Sequence, residues 1–240
     1  MRCEFSKVGK IDVGDCASWA QPLFLTFDID WASDDVLADA IDLVERADVA
    51  ATWFVTHDTV LLSRLRDNPK FELGVHPNFN FLLEGDLRAG RNAAEVIDRI
   101  MHIVPEARSV RSHSMTQTSR LLDLFAAAGL RVDCNHFIPE QAGIALKPWT
   151  HWNGITRAPY FWEDDVALLY DQGIAVETLA QAVGVKIFDF HPIHIFLNTE
   201  NLDRYERTRP LHGSAAQLVR QRFDGAGTRT HLQGLLEMAK

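Results

Sequence analysis

Leu25-Thr26-Phe27-Asp28-Ile29-Asp30 ends an apolar run in two carboxylates that are one residue apart. In a β-strand, residues i and i+2 point to the same face, so Asp28 and Asp30 would lie side by side at the strand end. Two acids sharing a buried position repel each other and lose solvation, and a bound metal ion would compensate for both. The alternative interpretation is a strand end followed by a helix cap, with both acids in solvent.

Outward from this stretch, short β-rich runs alternate with helical patterns. Strands are predicted at 23–28, 50–56, 71–75, 109–111, 130–134 and 185–190. Helices are predicted from a Ser33 cap to about Ala47, at 59–65, at 93–103, from a Thr116 cap to Gly129, and over part of 215–238. Strands that alternate with helices predict an α/β fold with a parallel sheet, either a barrel or a doubly wound sheet.

Composition limits the classes of protein to which the chain can belong. Its 240 residues, 47% of them hydrophobic, favour one domain over 1–240. A net charge of -9 argues against nucleic acid or an anionic membrane surface as the main partner. No apolar run is long enough to span a bilayer, and the N-terminal residues do not form a secretory signal. Three widely spaced cysteines are typical of reduced thiols, so we expect a cytoplasmic location.

Polar side chains follow most of the predicted strands, where functional residues of parallel sheets gather. His76 and Asn80 are four residues apart, so on one helix they could converge on a metal ion. Arg111 could hold an acidic partner, and His191 could act as a general acid because its pKa lies near neutral pH. For each of these residues the competing interpretation is an ordinary packed or solvated side chain.

Together these pieces resemble the polysaccharide deacetylase family, carbohydrate esterase family 4, over about 23–198. Thr26-Phe27-Asp28-Ile29-Asp30 resembles its first motif, Ala51-Thr52-Trp53-Phe54-Val55 its next strand and Glu72-Leu73-Gly74-Val75-His76 the start of its second motif. The resemblance implies a distorted (β/α) barrel of about seven parallel strands in a single domain. It also implies roles: a catalytic base at Asp28, metal ligands at Asp30 and His76, an orienting Arg111 and a general acid at His191.

Two positions depart from the family pattern. The second motif usually supplies another His where this chain has Asn80, and the third motif usually has Pro where this chain has His113. Asn80 could bind the metal directly or through water, His113 could replace the missing ligand, or the site could be degenerate. The stretch His76-Pro77-Asn78-Phe79 resembles a divergent branch of the family found in bacterial surface-polysaccharide clusters.

The resemblance implies a hydrolase that removes an N-acyl group, foremost acetyl, from an amino sugar, either a small molecule or an oligosaccharide. It also implies a divalent metal ion, foremost zinc, with cobalt, nickel or manganese as alternatives. Predicted substrate contacts are Trp31, His194 and, in the long 135–165 connection, Trp162 and Asp164. A cyclic-amide hydrolase and a non-catalytic carbohydrate-binding relative remain alternatives, and the oligomeric state, homo-oligomers included, stays open.

Overall fold

The computed structural model describes residues 2–170 and 175–239, and in these residues one ten-stranded sheet organises the chain. The strands are Phe5–Ser6 (β1), Leu23–Asp28 (β2), Ala51–Val55 (β3), Phe71–Val75 (β4), Ser109–Val110 (β5), Val132–Asp133 (β6), Trp149–Thr150 (β7), Thr156–Arg157 (β8), Trp162–Glu163 (β9) and Lys186–Phe190 (β10).

The sheet curls into a distorted barrel. Its strand order is β7-β8-β6-β5-β4-β3-β2-β10-β9, with β1 also paired to β2, and every pair is parallel except β7 with β8. A parallel bridge between Phe137 and Tyr160 links the chain after β6 to the chain just before β9. The seven strands from β6 to β9 therefore form one curled series whose two ends approach each other at this bridge, and the predicted distorted barrel of about seven parallel strands is confirmed.

Helices cover the outside of this sheet. They are Ala17–Ala20 (α1), Asp34–Ala47 (α2), Leu62–Asp67 (α3), Asn80–Leu83 (α4), Ala93–Ile103 (α5), Ser119–Ala127 (α6), Asp164–Tyr170 (α7), Val176–Leu179 (α8), Pro192–Leu197 (α9), Leu202–Thr208 (α10), Ala215–Leu218 (α11) and Thr228–Glu237 (α12). Within the part of the chain just defined, none of them is both long and apolar enough to cross a membrane.

The longest helix shows why these segments form helices. In α2 the apolar residues recur every three or four positions, and Val36, Leu37, Ala40, Ile41 and Val44 are all buried. The acids Asp34 and Asp35 lie in the first turn, where the helix dipole favours negative charge. The helix therefore buries one apolar stripe against the sheet and leaves its charged face in water.

The central strands are buried on both faces, as parallel strands between helices and a packed interior must be. All residues of β2, β3 and β10 are buried. On the outer face of the sheet, opposite to Thr26 and Asp28, the rings of Phe27 and Trp53 stack with their centroids 4.2 Å apart, and Phe27 also lies 6.0 Å from Phe190. This aromatic layer lies next to the strand ends that carry the polar residues.

Several local predictions were wrong. The cap of α6 is Thr118, not Thr116, because the Thr118 hydroxyl accepts from the Leu121 amide; Ser33 does hold the N-cap position of α2, although its side chain makes no capping hydrogen bond. The 135–165 connection contains three strands, because segments of two residues are too short to show a strand period in the sequence. Strand β2 ends at Asp28, so Asp30 lies beyond it, with a left-handed backbone (φ 33°).

Candidate metal centre

Three side chains from neighbouring strand ends converge at the carboxyl end of the barrel. Asp30 follows β2, His76 follows β4, and His113 lies in a short 3₁₀ turn after β5. The His76 Nε2 atom lies 3.3 Å from Asp30 Oδ1 and 3.3 Å from His113 Nδ1. The His113 Nδ1 atom lies 3.3 Å from Asp30 Oδ2.

These distances fit a metal ion. Zinc binds His nitrogen and carboxylate oxygen at about 2.0–2.1 Å, and at that radius neighbouring tetrahedral ligands are about 3.3 Å apart. Asp30 Oδ1 is buried without a hydrogen-bond partner among the described residues, so one potential ligand atom is left unsatisfied. A set of two imidazoles and one carboxylate suits zinc and leaves a fourth position open, as catalytic sites require.

The electrostatics of this group also favour metal binding. Burial lowers the pKa of His76 to about 3, so its ring is neutral at pH 7, the form that binds a metal. Burial acts to raise the pKa of Asp30, but attraction to His76 and the hydrogen bond from His113 outweigh it and lower that pKa below its usual range. Asp30 is therefore an ionised carboxylate.

Asn80 does not join this group in the structure. Helix α4 begins at Asn80, so His76 is not on the same helix, and the assumed i, i+4 geometry does not exist. The Asn80 side-chain Nδ2 instead donates to Ser114 Oγ at 2.9 Å. Asn80 therefore holds the turn that carries His113.

Asp28 lies beside the three-residue group and contacts Arg111. Arg111 Nη1 donates to Asp28 Oδ1 at 3.1 Å, and both side chains are almost fully buried. The guanidinium of Arg111 lies between the rings of Phe54 and Tyr160, at 4.7 and 4.4 Å from their centroids, so it can take few other orientations. Burial raises the pKa of Asp28 to about 7, although the charge of Arg111 acts in the opposite direction.

Asp189 is a further member that the sequence analysis did not identify. It lies in β10 directly opposite Thr26 of β2, fully buried, and its Oδ1 accepts from Thr26 Oγ1 at 2.6 Å and from Arg111 Nη1. Arg111 thus binds two carboxylates, Asp28 and Asp189. The sequence did contain a signal for it: Asp189 lies inside an apolar strand, and a buried acid needs a polar or charged partner.

His191 also lies beside the group, next to Asp30. Its Nε2 lies 3.5 Å from Asp30 Oδ2, while its Nδ1 lies 2.7 Å from Asp164 Oδ1. Burial acts to lower the pKa of His191, but the charges of Asp165 and Asp164 outweigh it and raise that pKa well above the usual range. His191 is therefore easier to protonate than a free imidazole.

The remaining predicted contacts divide into near and distant residues. Trp31 is half exposed, and its ring meets that of His113 edge to face at 5.1 Å. Trp162 is a core residue, 6% exposed and 4.8 Å from the Phe190 ring. Asp164 is buried against His191, and His194 binds Asp165 at 2.6 Å and Thr199 at 3.1 Å. Of these four residues, Trp31 is the one with a large exposed surface beside the centre.

The comparisons with known proteins agree with this architecture. A family model described as WbmS-like polysaccharide deacetylase matches residues 25–209. A crystal structure from Bordetella bronchiseptica, provisionally described as a polysaccharide deacetylase involved in O-antigen biosynthesis, has 48% sequence identity and a TM-score of 0.94. That alignment covers 99% of this chain and 98% of the other.

More distant structures match much less closely. One is a Mycobacterium smegmatis protein, also provisionally described as a polysaccharide deacetylase, with 13% identity and a TM-score of 0.45. That alignment covers 98% of this chain and 95% of the other. No functionally curated protein matches the chain. The family match extends over most of the chain and the Bordetella structure over nearly all of it, so this protein belongs to the WbmS-like polysaccharide deacetylases.

Proposed function

We propose that this chain is a metal-dependent deacetylase that removes an N-acetyl group from an amino sugar of a bacterial surface polysaccharide or its precursor. The relative from Bordetella bronchiseptica, whose description places it in O-antigen biosynthesis, supports this choice of pathway. The cytoplasmic location expected from the cysteines remains a prediction.

One observation carries the proposal. The ligand atoms of Asp30, His76 and His113 are spaced as the corners of a metal's coordination shell, with Asp28 beside His76 and His191 beside Asp30. A base and an acid next to a Lewis acid are the groups that amide hydrolysis requires. We therefore assign the metal to Asp30, His76 and His113, and we expect zinc.

The ion, when bound, would polarise the amide carbonyl and increase the acidity of water. Asp28 would take a proton from the attacking water, and Arg111 would keep the carboxylate aimed at it. Because the positive charge of an ion favours the ionised carboxylate, the pKa of Asp28 would fall below about 7 when metal binds. Asp28 would then be ready to act as a base at neutral pH.

His191 would complete the reaction by giving its Nε2 proton to the departing amine. As the carbon–nitrogen bond breaks, the nitrogen needs a proton to leave as a neutral amine. Asp164 accepts the hydrogen on Nδ1, which leaves Nε2 directed at the centre. The products are the free amino sugar and acetic acid, which ionises to acetate in water, with one proton taken up by Asp28 and one released by His191.

Elemental analysis of the purified protein tests the metal assignment. We expect about one zinc per chain in the wild type, loss of zinc in Asp30→Ala and His113→Ala, and retention of zinc in Asn80→Ala. A wild-type protein that stays metal-free after reconstitution with zinc, cobalt or nickel would reject this proposal and favour a binding protein.

Acetate release tests the reaction. N-acetylated nucleotide sugars and O-antigen oligosaccharides would be offered to the wild type, to Asp28→Asn and to the surface control Glu106→Gln, whose carboxylate pairs with Arg66 away from the centre. We expect Asp28→Asn to lose turnover while keeping its zinc. Equal turnover in Asp28→Asn and the wild type would contradict the role of Asp28.

A further inference from the structure

The cavity at the metal centre is too small for a sugar. It measures about 70 Å³, far below the range of about 300–1,000 Å³ typical of small-molecule sites. It can hold a water and the reacting end of an amide, so the sugar ring and its substituents must lie outside it. The neighbouring space therefore decides which substrates the protein accepts.

A larger cavity adjoins this one at His76. It measures about 480 Å³, within the range of about 300–1,000 Å³ typical of small-molecule sites. Trp31 lines it on the side of the centre, and Phe81 with Val96 and Ile100 of α5 gives it apolar walls. A substrate whose amide reaches the centre past Trp31 would place its other substituents here.

Two arginines line the same cavity. The guanidinium of Arg88 lies over the Phe81 ring at 4.9 Å and donates to Asp86 at 2.6 Å. Arg99 Nη1 donates to the backbone carbonyl of Arg88 at 3.1 Å. Within residues 2–170 and 175–239, Arg99 forms no ion pair with a carboxylate, so most of its donors are available to a ligand.

This positive charge is unusual for the chain. The protein has a net charge of -9, yet two arginines, Arg88 and Arg99, line this cavity. The carboxylate among the lining residues is Asp58. Both side chains are exposed and Arg88 is already paired with Asp86, so Arg99 supplies most of the positive charge that an anion in the cavity would meet. Arginine also offers a planar set of donors that matches carboxylate and phosphate oxygens.

We propose that this cavity binds an anionic group, a carboxylate or a phosphate, carried by the sugar substrate, with Arg99 as its main partner. The inference rests on the proposed function and narrows its substrate class to acidic or phosphorylated amino sugars. Arg88, already paired with Asp86, contributes positive charge at the edge of the cavity. The apolar walls face the sugar's carbon skeleton or a second substituent.

Calorimetric titration of the zinc-loaded protein tests the inference without needing turnover. The probes are glucuronate, glucose 1-phosphate and neutral glucose. The variants are Arg99→Gln and the control Arg91→Gln, because Arg91 pairs with Glu95 on the surface nearby and does not line the cavity. Any binding of a probe to the metal itself is the same in all samples.

We expect the wild type and Arg91→Gln to bind at least one anionic probe more tightly than glucose. Arg99→Gln should weaken that binding about tenfold, which corresponds to about 1.4 kcal/mol, and should leave glucose binding unchanged. The probe that is preferred distinguishes a carboxylate from a phosphate.

Equal affinity for charged and neutral probes, or unchanged anion affinity in Arg99→Gln, would overturn the inference. The proposed function fails in a different way, through absent zinc or absent acetate release. Arg99→Gln should keep its zinc, so a loss of anion affinity in that variant cannot be mistaken for a lost metal centre.

Discussion

Asp164 binds His191 twice: its Oδ2 accepts from the His191 backbone amide at 2.8 Å, and its Oδ1 lies 2.7 Å from the ring Nδ1. This short contact fits a hydrogen on Nδ1 that the carboxyl oxygen accepts. The ring is therefore held with Nε2 directed at Asp30. Asp164 is thus placed to orient His191, while its predicted contact with the sugar stays a prediction.

We predict that Asp164→Asn moves the alkaline limit of activity to lower pH. The charges of Asp165 and Asp164 raise the pKa of His191, and activity is lost as pH rises through that pKa, because the acid is then deprotonated. Removing one charge lowers the pKa, so activity fails at a lower pH. The measurement is kcat as a function of pH for the wild type, for Asp164→Asn and for the control Asp203→Asn, which changes an exposed acid. If kcat fell at the same alkaline pH in all three proteins, the role of Asp164 would be contradicted.

We predict that Asn80→Ala weakens metal binding without abolishing it. Asn80 reaches His113 only through the hydrogen bond to Ser114, and loss of such supporting contacts costs about 10–100-fold in metal affinity. Competition with a zinc chelator measures this change. Ser114→Ala should match Asn80→Ala, and the double variant should be no worse than either. If Asn80→Ala lost zinc completely, as expected for Asp30→Ala, Asn80 would be a direct ligand.

We predict that Asp189→Ala lowers the free energy of unfolding by about 1–3 kcal/mol, because the buried guanidinium of Arg111 loses one of its two carboxylate partners and keeps Asp28 alone. Asp189→Asn keeps an oxygen that accepts a hydrogen bond and should lose less. Urea unfolding of both variants measures the difference. A loss of under about 1 kcal/mol in Asp189→Ala would show that Arg111 does not depend on this partner.

We predict that Trp31→Ala raises KM with little change in kcat. The Trp31 ring lies at the edge of the centre and packs against His113, a proposed metal ligand, but not against the proposed base or acid. Trp152 is 81% exposed and does not line either cavity described above, so Trp152→Ala is the matched control. Similar kinetic constants for both variants would remove Trp31 from the substrate site.

The sequence predicted the residues at strand ends best. Asp28, Asp30, His76, Arg111 and His191 each follow or end a strand whose apolar run is visible in the sequence, and the structure brings these five together. Because parallel strands end at the same edge of a barrel, their order along the chain was enough to predict this proximity. Their chemical roles remain predictions.

The sequence was less informative where geometry depends on register or on short elements. Trp162 was predicted at a sugar-binding loop, but it lies in the short strand β9 and packs against Phe190. Asp189 became visible only through its register opposite Thr26. The choice between Asn80 and His113 depended on where α4 begins, which the residues between His76 and Asn80 do not reveal.

The positions of Asp30, His76 and His113 also bear on folding. The three residues belong to separate stretches of chain that meet only when β2, β4 and β5 are correctly paired with the strands between them. An ion held by all three would bind the native barrel and not the unfolded chain, so metal would act as a reversible cross-link that stabilises the whole barrel by mass action. Midpoint temperatures of unfolding should therefore rise with free zinc concentration.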